Sequence, residues 1–101
     1  MPVVVTADFP TISPELYVKT HTAVFADGKP DGFIAHGCAK NGEGITVTDI
    51  WESSEKFEAF ISGTVARIVE ELGIEGGPEN VSIVELINAD AFDYRGDVLS
   101  H

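Results

Sequence analysis

The chain has few basic residues and a single cysteine. Six lysines and arginines stand against 17 aspartates and glutamates, which gives a formal net charge of −11. This acidity repels phosphate backbones and anionic lipid headgroups, so neither nucleic acid nor a membrane surface is an expected partner. Cys38 cannot form a disulfide within the chain, and a reducing cytoplasm is therefore the expected compartment.

Long apolar runs are also missing. No stretch reaches the roughly 20 residues that cross a bilayer, and no basic segment precedes the apolar residues near Met1, so neither a membrane span nor an export signal is expected. Three histidines without a close pair make a metal site unexpected. The glycines at 42–44 and 76–77 match no phosphate-binding pattern and are expected to form turns.

The remaining composition is that of an ordinary globular domain. The chain has 101 residues, of which 44% are hydrophobic and 23% charged, which suffices for one hydrophobic core. We therefore expect one domain over residues 1–88, followed by an acidic C-terminal tail over residues 89–101.

Residue patterns predict four strands and two helices in this domain. Short β-branched or alternating segments indicate strands at 3–9, 33–39, 45–51 and 81–87. Serines at 13 and 53–54 are typical helix starts, and the helices are expected to end at the turn-rich segment 27–32 and at Gly73. The order β-α-β-β-α-β predicts an α+β, ferredoxin-like sandwich, in which a four-stranded antiparallel sheet carries both helices on one face.

The second sheet face would then lie in water. Apolar residues stand on both sides of the second, third and fourth strands, so this face would expose a larger patch than soluble monomers usually tolerate. Both faces of the fourth strand are therefore expected to be covered. A homodimer that packs sheet against sheet is the expected assembly.

Two segments resemble a known superfamily. These are Pro30-Asp31-Gly32-Phe33-Ile34-Ala35-His36 and Val47-Thr48-Asp49-Ile50-Trp51-Glu52-Ser53, the second followed by Phe57 and Phe60. They are similar to the dimeric α/β barrel superfamily, which includes antibiotic-biosynthesis monooxygenases. The resemblance spans roughly residues 3–88. It implies a homodimer with a small-molecule pocket between sheet and helices, and cofactor-independent monooxygenation or polyketide cyclisation of an aromatic or polyketide-like substrate.

Haem-degrading members of the superfamily differ from this sequence. These members share an asparagine on the first strand, a tryptophan in the second helix and a histidine one or two turns later. Here those positions hold Ala7 or Asp8, Phe60 and about Glu70. Neither haem nor any other cofactor is therefore expected.

Four polar residues are candidates for catalysis: Tyr17, His21, His36 and Asp49. His21 lies in the apolar stripe of the first helix, where it could be a general base or a histidine at the core edge bonded to backbone. His36 lies in mid-strand, where it could orient a substrate carbonyl or hold a buried hydrogen bond. Tyr17 could give a proton to an enolate or simply pack at the core rim.

Asp49 and Trp51 share one face of the third strand, because they are two residues apart. They could line one wall of a cavity. Alternatively, Trp51 packs under the helices and Asp49 lies at a dimer edge. The predicted substrate-binding residues are the aromatics Trp51, Phe33, Phe57 and Phe60. Cys38 is expected to be a small buried hydrophobe and is left out of the site.

Three functions remain open from sequence. The first is an enzyme in which His21 or His36 removes a proton to form an enolate, which Tyr17, Asp49 and Trp51 orient. The second is a non-catalytic homodimer that binds a small apolar or aromatic molecule. The third is an assembly module whose aromatic residues fill any cavity.

Overall fold

The computed structural model describes residues 1–90. Its elements are β1 (Val3–Phe9), α1 (Pro14–Val24), β2 (Phe33–Asn41), β3 (Gly44–Trp51), α2 (Ser54–Phe60), a π-helical segment (Ile61–Val65), α3 (Ala66–Leu72) and β4 (Glu79–Glu85). The sheet order is β2-β3-β1-β4, and every neighbouring pair is antiparallel. This is the predicted α+β, ferredoxin-like fold, with strand ends within two residues of the predicted ones. Most of the predicted tail lies outside the described residues.

Side-chain caps begin both helices where the sequence predicts. The Ser13 hydroxyl accepts a hydrogen bond from the Leu16 backbone N–H at 3.2 Å, and Ser53 does the same for the Lys56 N–H at 3.2 Å. Such caps satisfy backbone donors that have no partner inside a helix. Gly73 ends α3 in the left-handed region, with φ of 65°, which glycine adopts without steric cost.

The second helical run departs from the uniform helix that the sequence predicts. Between α2 and α3 it widens into the π-helical segment, which contains the weak helix formers Ser62, Gly63 and Thr64. The Ser62 hydroxyl donates to the Glu58 carbonyl at 2.9 Å, a bond that competes with the regular helix pattern. The prediction of one continuous α-helix was therefore wrong at this point.

The core lies between the helices and one face of the sheet. Val3, Val5, Phe33 and Trp51 form its buried cluster, against which Phe25, Phe57 and Phe60 pack. Trp51 is fully buried, and its ring meets Phe33 edge-on at 5.6 Å between centroids. Edge-to-face contacts of this kind are a favoured aromatic geometry.

A β-bulge in β2 decides which of its side chains face the helices. Phe33 pairs with Trp51, but Ala35 pairs with Ile50, so β2 carries one extra residue at Ile34. The side chains that follow change faces as a result. His36, which pairs with Asp49, therefore lies on the same helix-covered face as Phe33.

The opposite face of the sheet and the edge strand β4 are uncovered in the single chain. All seven residues of β4 are exposed, so the expected covering of both its faces is not met within one chain. Exposed apolar side chains on this strand include Val81 and Val84. Within residues 1–90, no helix is both long and apolar enough to cross a bilayer.

Candidate functional site

A cavity of about 130 Å³ lies between α1, the second helical run and the helix-covered face of the sheet. Apolar side chains form most of its lining, including Phe25 and Phe60. The polar lining residues are Tyr17, Thr20, His21, His36 and Asp49. The four residues predicted to be catalytic therefore meet in one mainly apolar cavity, a composition typical of small-molecule sites.

Three of these residues form a hydrogen-bonded chain, here named the Tyr17-His36-Asp49 chain. His36 and Asp49 are directly opposed on β2 and β3, and the His36 Nδ1 lies 2.5 Å from the Asp49 Oδ1. The other ring nitrogen, Nε2, lies 2.5 Å from the Tyr17 hydroxyl on α1. The remaining carboxylate oxygen, Oδ2, accepts from the Trp51 indole N–H at 3.1 Å.

The chemistry of these groups sets the direction of the chain. An ionised carboxylate can only accept hydrogen bonds, so the proton of a neutral His36 ring lies on Nδ1 and is donated to Asp49. Nε2 is then an acceptor, and the Tyr17 hydroxyl donates to it. The free lone pairs of the Tyr17 oxygen can still accept a hydrogen bond or a proton from a ligand.

Burial keeps Tyr17 protonated at neutral pH. Desolvation of the phenol, reinforced by the nearby Cys38 thiol and Asp49 carboxylate, raises the pKa of Tyr17 to about 12. In the resting site Tyr17 is therefore a neutral donor. The hydrogen bond to Nε2 makes His36 the nearest acceptor for this proton, and the Asp49 carboxylate would stabilise the resulting imidazolium.

Cys38 lies on the same face of β2, two residues beyond His36. It is exposed, so the prediction of a buried small hydrophobe was wrong. The reason is that β2 extends to Asn41, and every residue from Gly37 to Asn41 is exposed. Partial burial still raises the pKa of the Cys38 thiol, although a hydrogen bond with Tyr17 opposes this shift. A thiol of this kind is a weak nucleophile.

His21 stands apart from the hydrogen-bonded chain. Its ring lies 4.7 Å from the Phe25 ring and 5.4 Å from the His36 ring, measured between centroids. Within residues 1–90 its ring nitrogens have no hydrogen-bond partner. Desolvation is the main cause that lowers the pKa of His21, and the neighbouring His36 lowers it further. The Asp49 carboxylate opposes this shift. His21 is therefore neutral at pH 7 and can bond to a ligand.

We expect His21 to make the protein less stable in acid. The folded protein disfavours the charged His21 ring, so the unfolded chain binds a proton there at a higher pH than the folded protein does. The free energy of unfolding therefore has its full value above the ordinary pKa of 6.5 and decreases as pH falls from there through the lowered pKa. His21→Gln should therefore reduce the loss of unfolding free energy between pH 7.5 and pH 5, measured by urea titration. An unchanged loss in this variant would contradict the assignment.

The four aromatic residues predicted to bind substrate divide into two groups. Phe60 lines the cavity. Phe33 and Trp51 are 6% and 0% exposed and form the core beneath it, so they do not reach a ligand. Phe57 packs against Trp51 at 5.8 Å between ring centroids. Trp51 packs under the helices and acts on the site through its bond to Asp49. Asp49 itself is buried at the cavity wall, so the alternative that places it at a dimer edge is not met.

Several apolar residues of the cavity lining were not predicted from the sequence as part of the site. Val47, Ile61, Val65 and Val69 all contribute to it. Ile61, Val65 and Val69 recur at helical spacing in the second helical run, and Val47 shares its strand face with Asp49. Those patterns mark the buried faces but do not distinguish a cavity wall from solid core.

Among residues 1–90, no cluster of three or more histidine, cysteine or acidic side chains could hold a metal ion.

The chain matches no known family model and no curated protein by sequence. Solved structures do match its fold. A candidate antibiotic biosynthesis monooxygenase from Chloroflexus aurantiacus J-10-fl is 11% identical, with 88% of this chain and 96% of that one covered and a TM-score of 0.67. A variant of SnoaB, a cofactor-independent oxygenase from Streptomyces nogalater, is 13% identical, with coverage of 87% and 94% and a TM-score of 0.59.

A heme-degrading protein from Mycobacterium tuberculosis is also similar. It is 22% identical, with 88% of this chain and 98% of that one covered and a TM-score of 0.55. At identities this low, the structural matches establish a shared fold and nothing more. They confirm the resemblance at the level of architecture. They do not transfer chemistry, because one fold hosts many activities. The expectation against haem degradation stays a prediction.

Proposed function

We propose that the protein is a cofactor-independent enzyme that removes a proton from an aromatic or polyketide-like carbon acid, in a monooxygenase or cyclase reaction. The observation that carries this proposal is the Tyr17-His36-Asp49 chain at the wall of an apolar cavity. A substrate whose carbanion is stabilised by resonance needs a positioned base and a hydrogen-bond donor in a desolvated site. These three residues supply both.

Two protons move along the Tyr17-His36-Asp49 chain, both in the direction from the substrate to His36. The substrate C–H proton passes to the Tyr17 oxygen as the Tyr17 proton passes to Nε2 of His36. The resulting imidazolium is stabilised by the Asp49 carboxylate, which Trp51 holds in place through its indole N–H. The substrate is left as an enolate, whose oxygen can accept a hydrogen bond from the N–H of the neutral His21 ring at the cavity wall.

Two outcomes of the enolate balance without a cofactor. In a monooxygenase, a CH₂ group and O₂ give a ketone and water, and the substrate supplies all the electrons. In a cyclase, the enolate carbon attacks a carbonyl of the same molecule. Tyr17 then gives its proton to the new alkoxide and regains one from Nε2 of His36. The first outcome is an oxygenase reaction, the class of activity of SnoaB, with which this chain shares its fold.

A second candidate function has a specific observation in its favour. Both nitrogens of His36 are already hydrogen-bonded within the protein, as expected for a histidine that only satisfies buried polar groups. In that case the protein is a non-catalytic homodimer that binds a small aromatic molecule in the same cavity.

Proton exchange separates these candidates. We expect the wild-type protein to accelerate deuterium incorporation from D₂O into the acidic methylene of anthrone under argon, followed by mass spectrometry. In air, uptake of one O₂ for each anthrone converted to the quinone would identify an oxygenase, and exchange without O₂ uptake would favour a cyclase. Saturable anthrone binding without accelerated exchange would contradict catalysis and favour the binding protein.

We also propose that the chain forms a homodimer through the uncovered sheet face. The register places Ala35, Ile50, Val4 and Val84 side by side in one apolar row across the four strands. The next row holds the small residues Gly37, Thr48, Thr6 and Ser82. A flat apolar row beside small residues suits face-to-face packing with a second copy.

Charged substitutions test this interface. Ile50→Glu and Val84→Glu should each convert a dimer to a monomer in analytical ultracentrifugation, because each would place a carboxylate between the packed sheets. Val18→Glu is the matched control, since Val18 is 62% exposed on α1, away from this face. Dimerisation that survives both sheet substitutions would contradict the proposed interface.

A further inference from the structure

The cavity beside His36 has a polar mouth and an aliphatic end. His21 is exposed to solvent, so it lies at the mouth, and Tyr17 and His36 are half-buried. The buried hydrophobic residues of the lining are Ile12 and Ile45, with exposures of 9% and 3%. The part of the cavity that is best shielded from water is therefore bounded by hydrocarbon.

The strand β3 carries this hydrocarbon wall away from the polar groups. Val47 lies two residues before Asp49 and Ile45 lies four before it, so all three side chains face the helices. At a rise of about 3.3 Å per residue, these positions are about 7 Å and 13 Å from Asp49 along the strand. Both oxygens of Asp49 already accept hydrogen bonds, from His36 and Trp51.

The second helical run encloses the same end of the cavity. Val65 from the π-helical segment and Val69 from α3 both line it, and residues four apart share one face of a helix. Ile12, just before α1, closes the remaining side, and α1 packs on α3. Aliphatic side chains from three segments thus surround the end opposite the mouth.

The cavity is too small for a fused-ring system. Its volume is about 130 Å³. An apolar cavity of about 150 Å³ holds a single benzene molecule, so three fused rings do not fit inside this one. At about 30 Å³ for each water-sized group, the space corresponds to a chain of about four carbon atoms.

We propose that the aliphatic end is a subsite for an alkyl arm of the substrate, about four carbons long, while the reacting aromatic ring lies at the mouth. There the ring meets Tyr17, His21 and His36, and the arm extends past Val47 toward Ile45. Burial of each methylene group favours binding without any polar partner. This inference rests on the proposed function for the position of the ring, and it narrows the substrate to an alkyl-substituted aromatic carbon acid.

A series of 4-alkylphenols tests the subsite by binding alone. The alkyl group is lengthened from methyl to heptyl, and each affinity is measured by titration calorimetry. We expect the affinity to rise about fourfold for each added methylene group, and to level off at about the butyl compound, where the aliphatic end is full. A rise that continues through heptyl, or no rise at all, would overturn the subsite.

A polar end group provides a second comparison. 4-(3-hydroxypropyl)phenol has as many non-hydrogen atoms as 4-butylphenol, but it carries a hydroxyl where the butyl chain has its terminal methyl. We expect it to bind about tenfold more weakly, because the hydroxyl would leave water for a hydrocarbon wall. Equal affinities of the two compounds would contradict an aliphatic end.

Variants of Val69 should move the preferred chain length in opposite directions. Val69→Leu adds one methylene group to the wall and should shorten the optimum by about one carbon, whereas Val69→Ala removes two methyl groups and should lengthen it by about two. Val65→Ala should lengthen it in the same way. Val18→Leu and Val18→Ala are the controls, since Val18 is 62% exposed on α1. An unchanged optimum in the Val65 and Val69 variants, or an equal shift in the controls, would overturn the subsite.

The outcomes for the subsite and for the enzyme are separable. Anthrone exchange together with no optimum in chain length would reject the subsite and leave the proposed enzyme standing. An optimum that shifts in the Val69 variants, without anthrone exchange, would support the alkyl subsite and assign it to the non-catalytic binding protein.

Discussion

His36→Asn is expected to lower the protein-catalysed deuterium exchange of anthrone by about 10²–10⁴-fold, the usual contribution of a positioned acid or base. His36 is the acceptor for the Tyr17 proton and the donor to Asp49, so its loss interrupts the chain at its centre. The measurement is the initial rate of exchange under argon, with the uncatalysed rate subtracted.

Substitutions at the two ends of the chain extend this test. Asp49→Asn removes the charge that stabilises the imidazolium, and Tyr17→Phe removes the group that faces the substrate. We expect both to approach the rate of His36→Asn, because residues that act as one unit are not additive. Thr20→Val is the control, since Thr20 lines the cavity but donates its hydroxyl to the Leu16 carbonyl at 2.8 Å. Full exchange activity in His36→Asn would refute the mechanism.

Trp51→Ala is expected to lower the free energy of unfolding by about 3–5 kcal/mol, as large aromatic truncations in packed cores do. Trp51 is 0% exposed and contacts Phe33, Phe57 and Phe60. Such a loss is a large part of the stability of a small domain. The measurement is urea unfolding followed by circular dichroism, because the variants lack tryptophan.

Trp51→Phe separates packing from hydrogen bonding. It keeps an aromatic ring but leaves the Asp49 Oδ2 without its donor, for which we expect a cost of about 1–3 kcal/mol beyond the lost volume. Val18→Ala, on the exposed face of α1, should change stability by less than about 0.5 kcal/mol. A similarly small effect of Trp51→Ala would contradict the assigned core.

The order of elements followed from local patterns. Capping serines, turn glycines and strand alternation act over a few residues, so they predicted both helix starts, the turn between β2 and β3 and the shared face of Asp49 and Trp51. The apolar stripe likewise placed His21 on the inward face of α1. These features gave the ferredoxin-like fold because its topology follows from the element order and from right-handed crossovers.

The functional contacts depended on long-range packing. Phe33 and His36 are an odd number of residues apart, so a regular strand would place them on opposite faces, and only the bulge in β2 brings both to the helices. Strand pairing sets the register that opposes His36 to Asp49, and helix docking brings Tyr17 to the same ring.

Tertiary structure also decided where space remains. The π-helical segment and the ring of Phe60 line a cavity beside His36, and the exposed end of β2 leaves Cys38 in solvent. Local sequence thus determined the elements and their apolar faces, because the chemistry of turns and periodicity is local. Pairing register, cavities and hydrogen-bond partners were decided by packing between segments distant in the chain, whose free energies no short pattern contains.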